Sequence, residues 1–147
     1  ELGIQIIWQC GEKNITAIKN SIKSKNIHLF GFINDMWKYY SASDLVISRA
    51  GALTLSELSF YRKASILIPF PYAANNHQLK NAEYYKSCGA SEIVLQEQLS
   101  HGLLEQKVKE IYKNYDIIKK MEKKTYEISH KNSIETITSE ILRMCKN

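Results

Sequence analysis

The 147-residue sequence predicts an α/β fold: a Rossmann-like parallel sheet flanked by helices, followed by a helical C-terminal tail. Three observations predict it. Short runs rich in Ile, Leu and Val alternate with stretches of helical period as far as Leu95, as in a parallel sheet covered by helices. Beyond Leu95 no strand-like run follows, and apolar residues recur only at helical spacing. Between them, the apolar run Asp44-Leu-Val-Ile47 leads straight into the glycine-bearing segment Ser48-Arg-Ala-Gly-Ala-Leu-Thr-Leu-Ser-Glu57, a strand-to-helix turn.

Each element follows from the same reasoning. Strands are expected over 4–8, 27–30, 45–47, 65–68 and 92–95, with helices near 15–23, 36–41, 54–61 and 78–88. Gly89 is placed to terminate the last of these as the residue just past the helix end. In the tail, Ser100 is expected to cap a helix carrying Leu103, Leu104, Val108, Ile111 and Tyr112. A second helix runs from about Asp116 to Ser129. A third opens at Asn132 with Glu135 three residues on, and lines Ile134, Ile137, Ile141 and Leu142 on one stripe. The length and the 44% hydrophobic content suit one domain over 1–147, an α/β core at 1–99 and a helical tail at 100–147.

Composition removes several function classes. No apolar run approaches the roughly 18–20 residues that span a bilayer, and no secretory signal is present. The formal charge of +5 is concentrated in Lys19, Lys23, Lys25, Lys119, Lys120, Lys123 and Lys124, which suits a solvated helix face or attraction to an anionic surface. Basic residues are not interleaved with aromatics as in a nucleic-acid module, so no nucleic-acid partner is expected. Cys10, Cys88 and Cys145 are odd in number and lack C-x-x-C spacing, as suits reduced thiols and no zinc site. Only Asp35, Asp44 and Asp116 are aspartates, so no Asp-x-Asp pair is present to chelate a diphosphate-bound cation, and no metal or cofactor is expected. Glycine-fingerprint, Walker and Gly-x-Ser-x-Gly motifs are absent. His28, His101 and His130 are scattered and read as surface or core residues.

In open α/β sheets ligands sit beyond the carboxyl ends of the strands, which directs attention to the loops 9–12, 31–35, 48–54 and 69–78. A helix opening at Thr54 would aim its free amides and the positive end of its dipole into that crevice. Glu57 could then accept from a sugar's hydroxyl pair, yet Thr-x-x-Glu is also the spacing of a capping box. Arg49 could neutralise a phosphate or pair with a nearby carboxylate. The segment 69–81 holds the chain's two prolines, Pro69 and Pro71, then Asn75, Asn76, His77, Gln78 and Asn81. These neutral donors and acceptors suit sugar hydroxyls; Asn75 with Gln78 three residues on would equally cap the helix.

The segments Phe32-Ile-Asn-Asp-Met36, Asp44–Glu57, Ile68-Pro-Phe70, Asn76-His-Gln78, Asn81-Ala82, Gly89-Ala90 and Gln96-x-Gln-Leu-Ser100 closely resemble the C-terminal, donor-binding domain of the MurG family of glycosyltransferases (glycosyltransferase family 28). The matches run in order from Trp8-Gln-Cys-Gly11 to about Ser100. The resemblance implies the C-terminal half of a two-domain GT-B fold that binds UDP-N-acetylglucosamine (UDP-GlcNAc). Its parent would be an inverting, metal-independent transferase of peptidoglycan synthesis, adding GlcNAc to a lipid-linked muramyl pentapeptide at the cytoplasmic face of the membrane. It further implies that the Ile33 backbone reads uracil, that Ala52, Leu53 and Thr54 receive the phosphates, and that Glu57 holds the ribose hydroxyls. His77 and Gln78 would face the transferred sugar, although many members carry Gln-Gln where this chain has His77-Gln78. Arg49 and Asn81 complete the expected donor set. The family's opening strand, its Gly-Gly-Ser loop and its acceptor domain with the candidate base would all precede Glu1, so no catalytic base is expected in this chain, which alone would not turn over. Two other readings fit the same residues: a donor-binding subunit of another GT-B GlcNAc transferase, or a nucleotide-sugar-binding module without catalysis.

Overall fold

The computed structural model describes residues 3–129 and 133–145. Its contacts divide into two units, Glu1–Ser43 and Asp44–Asn147.

The first unit contains β1 (Ile6–Gln9), α1 (Ile15–Ser21), β2 (Ile27–Phe30) and α2 (Met36–Ala42). β1 and β2 are parallel, paired from Ile6 opposite Ile27 to Gln9 opposite Phe30. Phe30 meets Tyr39 edge-on at 5.1 Å between ring centroids, which seats α2 beside β2. Two side chains organise the loops at the carboxyl ends of these strands. Asn14 Nδ2 donates to Cys10 O at 2.9 Å. The Glu12 carboxylate lies over Gly31, where a Cβ would overlap it, so a larger residue there would push this side chain aside.

The second unit contains β3 (Leu45–Ser48), α3 (Ala52–Phe60), β4 (Ala64–Leu67), α4 (His77–Ser87), β5 (Ser91–Ile93), α5 (Leu103–Lys113), α6 (Tyr115–Glu127) and α7 (Ser133–Met144). The strands form a parallel sheet in the order β3-β4-β5. β4 is central and buried along its whole length, which is why Ala-Ser-Ile-Leu reads as a continuous run instead of an alternation. Ala64 and Ile66 join Val94, Ile111, Ile118 and Met121 in one core cluster. The first two helices of the tail therefore close the sheet; burying Ile111, Ile118 and Met121 contributes roughly 1.5–3 kcal/mol per side chain. α7 leaves Ile137, Ile141 and Leu142 exposed.

Polar contacts fix the helices on this sheet. Thr125, fully buried on α6, has Oγ1 2.8 Å from Met121 O and 3.2 Å from Lys63 O at the entrance to β4. Glu92 on β5 pairs with Lys107 on α5 at 2.6 Å and with Lys86 on α4 at 3.6 Å. The lysines of α6 behave as a solvated face: Lys119 pairs with Glu122 and Lys124 with Glu127, each three residues on.

The ends of elements depart from the sequence expectation in instructive ways. Gly89, at φ +75°, ends α4 as expected: its N–H donates to Lys86 O and that of Ala90 to Tyr85 O. α3 ends with the same bond pair, but the left-handed residue is Arg62, at φ +54°. Its guanidinium lies 3.9 Å from the Tyr126 ring centroid, a cation–π contact that favours arginine where glycine is usual. Ser100 is not a helix cap. It sits inside a 3-10 turn, Gln96–His101, and α5 starts after Gly102, whose φ of +72° redirects the chain. Asn132, expected to open the last helix, lies outside the described residues.

Candidate functional site

The loops after β3 and β4 and the start of α4 carry most of the expected site, all within the second unit. β3 ends at Ser48, and after Arg49 and Ala50 the chain reaches Gly51, the N-cap of α3, with φ −71° and ψ 149°. The first helical bond runs from Leu55 N–H to Gly51 O. No side chain caps this end, so the amides of Ala52, Leu53 and Thr54 belong to the uncapped first turn. Nothing lies within 4 Å of a Cβ built on Gly51, so the turn is open beside these amides. Together with the helix dipole they form a positive, uncharged surface suited to an anion.

This geometry overturns the capping-box reading of Thr54 and Glu57. The helix begins two residues before Thr54, because Gly51 enters it through backbone conformation alone and no side-chain cap is needed. Thr54 is thus inside the first turn and Glu57 beyond it, so Glu57 is not the first-turn carboxylate the sequence suggested. Three apart, the two lie on one face of α3, both partly buried.

The second cluster corrects another capping expectation. Asn75 and Asn76 adopt left-handed φ values of +50° and +53°, Asn75 in a 3-10 turn (Ala74–Asn76) and Asn76 as the N-cap of α4. Neither makes a side-chain cap bond; asparagine tolerates this backbone because its Cβ penalty is small. Gln78 does not reach back to Asn75. Its Oε1 accepts from Phe70 N–H at 3.0 Å and closes the loop that leaves β4. His77 Nδ1 lies 2.7 Å from Ala74 O, so that nitrogen carries the proton in the neutral ring and Nε2 is left as an acceptor.

Arg49 does not pair with a carboxylate among the described residues. Its Nη1 donates to Ile68 O at 3.1 Å and Pro69 O at 3.3 Å, and its guanidinium stands 5.5 Å from the Phe70 ring centroid. It braces the exit of β4 against the exit of β3. Asn81, one turn after Gln78, donates from Nδ2 to Ala50 O at 3.0 Å. Arg49, Ala52, Leu53, Thr54, Glu57, His77, Gln78 and Asn81 therefore lie on segments joined by these bonds. Ile33 belongs to the first unit, where it is buried and its N–H donates to Gln9 Oε1 at 2.9 Å. The sequence placed Gln9 in the 9–12 loop and in the Trp8–Gly11 match but did not name it as a site residue. Among the described residues, no group of three or more His, Cys, Asp or Glu side chains could hold a metal ion.

Comparison with known proteins adds to this geometry. Residues 1–137 match the family described as the glycosyltransferase family 28 C-terminal domain. Among curated proteins, the chain is 46% identical over 121 residues to the UDP-N-acetylglucosamine–N-acetylmuramyl-(pentapeptide) pyrophosphoryl-undecaprenol N-acetylglucosamine transferase of Thermodesulfovibrio yellowstonii, covering 81% of this chain and 33% of that protein. It is 36% identical over 150 residues to the protein of the same name from Acetivibrio thermocellus, covering 100% of this chain and 41% of the relative. The crystal structure of Acinetobacter baumannii MurG superposes with a TM-score of 0.86 at 30% identity, covering 95% of this chain and 43% of that one. The chain thus spans about a third to two fifths of the length of these curated relatives.

Proposed function

We propose, from the premise that this chain belongs to the glycosyltransferase family 28 C-terminal domain family, that it is the donor-binding part of a UDP-GlcNAc-dependent transferase acting on a lipid-linked muramyl pentapeptide. The observation that carries this reading is the uncapped first turn of α3, opening beside Gly51 with Thr54 and Glu57 on one helix face. Three amides and a helix dipole suit a diphosphate, and a carboxylate at the start of the second turn suits the paired hydroxyls of a ribose. His77 and Gln78, at the start of α4, supply an acceptor and a donor for the sugar. Within the first unit, the Ile33 N–H is already donated to Gln9 Oε1, which leaves its carbonyl as the backbone group for uracil. Arg49 and Asn81 complete the donor set by their positions at the loop ends.

The reaction follows from what such a site holds. The 4-hydroxyl oxygen of the acceptor's muramyl sugar forms a bond to the GlcNAc anomeric carbon. The bond from that carbon to the diphosphate oxygen breaks, UDP leaves with the electron pair, and the configuration inverts. The hydroxyl proton passes to a base outside this chain. This chain's residues position the donor and offset the charge that grows on the diphosphate through amides already oriented toward it. We infer that this replaces a metal ion, so chelators should leave transfer unchanged. We infer that the parent enzyme works at the cytoplasmic surface of a membrane, a reading that an undecaprenol-linked acceptor supports as far as the membrane itself. Among the described residues, no helix is long and apolar enough to cross one.

The test uses the full-length parent enzyme, with GlcNAc transfer measured in the presence of EDTA. Glu57→Ala should raise KM for UDP-GlcNAc while leaving KM for the acceptor unchanged. A variant altered only in acceptor KM would overturn the assignment.

A further inference from the structure

We propose that Asn81 is a positioning residue for the diphosphate turn, acting through Ala50, and not a sugar contact alone; the proposal rests on the donor-site reading above. Asn81 lies three residues beyond Gln78 and four beyond His77, on the same face at the start of α4. Its Nδ2 crosses 31 residues of sequence to donate to Ala50 O at 3.0 Å. Ala50 is fully buried and immediately precedes Gly51, whose carbonyl accepts the first bond of α3. The Ala50 carbonyl therefore stands one residue outside the helical ladder, and Asn81 supplies the donor that fixes it. The orientation of the Ala52, Leu53 and Thr54 amides follows from the placement of this peptide, because Gly51 itself has neither side chain nor capping bond to hold it.

The bond also divides the Asn81 carboxamide by atom. Nδ2 is committed to the turn, and Oδ1 remains an acceptor for a sugar hydroxyl. A single side chain thus links the sugar end of the site to its diphosphate end. A residue that touched only the transferred GlcNAc would have no influence on UDP, which lacks it.

The experiment titrates UDP and UDP-GlcNAc into the wild-type chain, Asn81→Leu and Asn81→His by calorimetry, with thermal unfolding as a folding control. Leucine is close in size, uncharged, and lacks the donor. Histidine places an Nδ1–H near the position of the asparagine Nδ2. Asn81→Leu should weaken UDP itself about tenfold, the effect of one lost hydrogen bond to a functional turn. Asn81→His should bring UDP back to within about threefold of wild type while UDP-GlcNAc stays weakened. If Asn81→Leu folds and binds UDP like wild type, losing only UDP-GlcNAc, the positioning role is wrong. If Asn81→Leu does not fold, Asn81→His decides: folded but without UDP affinity, it contradicts the role. Absence of UDP binding by the wild-type chain would instead overturn the donor-site reading and leave the bond to Ala50 a feature of the fold.

Discussion

Gln78 holds Phe70: the side-chain Oε1 at the start of α4 accepts from the Phe70 N–H at 3.0 Å, so the loop leaving β4 is closed by a residue of the next helix. The bond uses the oxygen of the carboxamide and leaves Nε2 for the sugar. Gln78→Glu retains an oxygen acceptor for Phe70 and loses the donor. The variant should therefore unfold within about 0.5 kcal/mol of wild type, as for a substitution that leaves no buried partner unsatisfied. Its affinity for UDP-GlcNAc should fall about tenfold relative to its affinity for UDP, measured by calorimetry. Equal losses for both ligands would show that the loop, not the sugar, had been disturbed.

Glu57 shares a face of α3 with Thr54, one turn beyond the N-terminal amides. If its carboxylate holds the ribose hydroxyls, wild type should prefer UDP to 2′-deoxy-UDP by about tenfold or more, the range for hydrogen bonds to a charged group. Glu57→Ala should abolish that preference while losing affinity for UDP. Competition binding with the two nucleotides checks both.

Tyr85, buried on α4, donates from its hydroxyl to Leu55 O at 2.8 Å and accepts from Ser59 Oγ, so α4 and α3 are joined by a polar link inside the unit. Burial pushes the phenol pKa up, and the Ser59 hydrogen bond opposes part of the rise. Tyr85→Phe leaves the Leu55 carbonyl and the Ser59 hydroxyl without this partner. It should lower unfolding stability by about 1–3 kcal/mol, as read from denaturant melts.

Glu92 links β5 to α5 and α4. Burial pushes its carboxyl up, but the hydrogen bond and charge of Lys107, with the charge of Lys86, more than offset this and hold it below its ordinary value of 4.5. A depressed folded-state pKa stabilises the fold above the unfolded value. That contribution is lost as pH falls from about 4.5 through the folded value. Unfolding midpoints measured from pH 7 to pH 3 should therefore drop less steeply for Glu92→Gln than for wild type. Parallel pH profiles would contradict the assignment.

The strands were legible because parallel strands are written as short apolar runs. The 27–30 run coincides with β2, and 45–47 differs from β3 by one residue. Helix starts were less so, since the usual signals are side-chain caps and this chain uses backbone ones. Gly51 opens α3 without a capping bond, which left Thr54 looking like the first residue. Ser100 has the chemistry of a cap but lies in a 3-10 turn, and Arg62 ends a helix where no glycine announces it. The candidate site residues were named from residue type and loop position. What could not be read was which atoms are already committed. The links from Asn81 to Ala50, Arg49 to Ile68 and Gln9 to Ile33 span 31, 19 and 24 residues and depend on tertiary packing alone.

The central claim is that the first turn of α3 and the start of α4 hold a UDP-sugar. It is tested most directly by titrating UDP-GlcNAc into the isotopically labelled chain and following backbone amide resonances. Saturable shifts at Ile33, Thr54, Glu57 and Gln78, reached without added metal, are the predicted result. Unchanged resonances at all four positions at millimolar donor would contradict it.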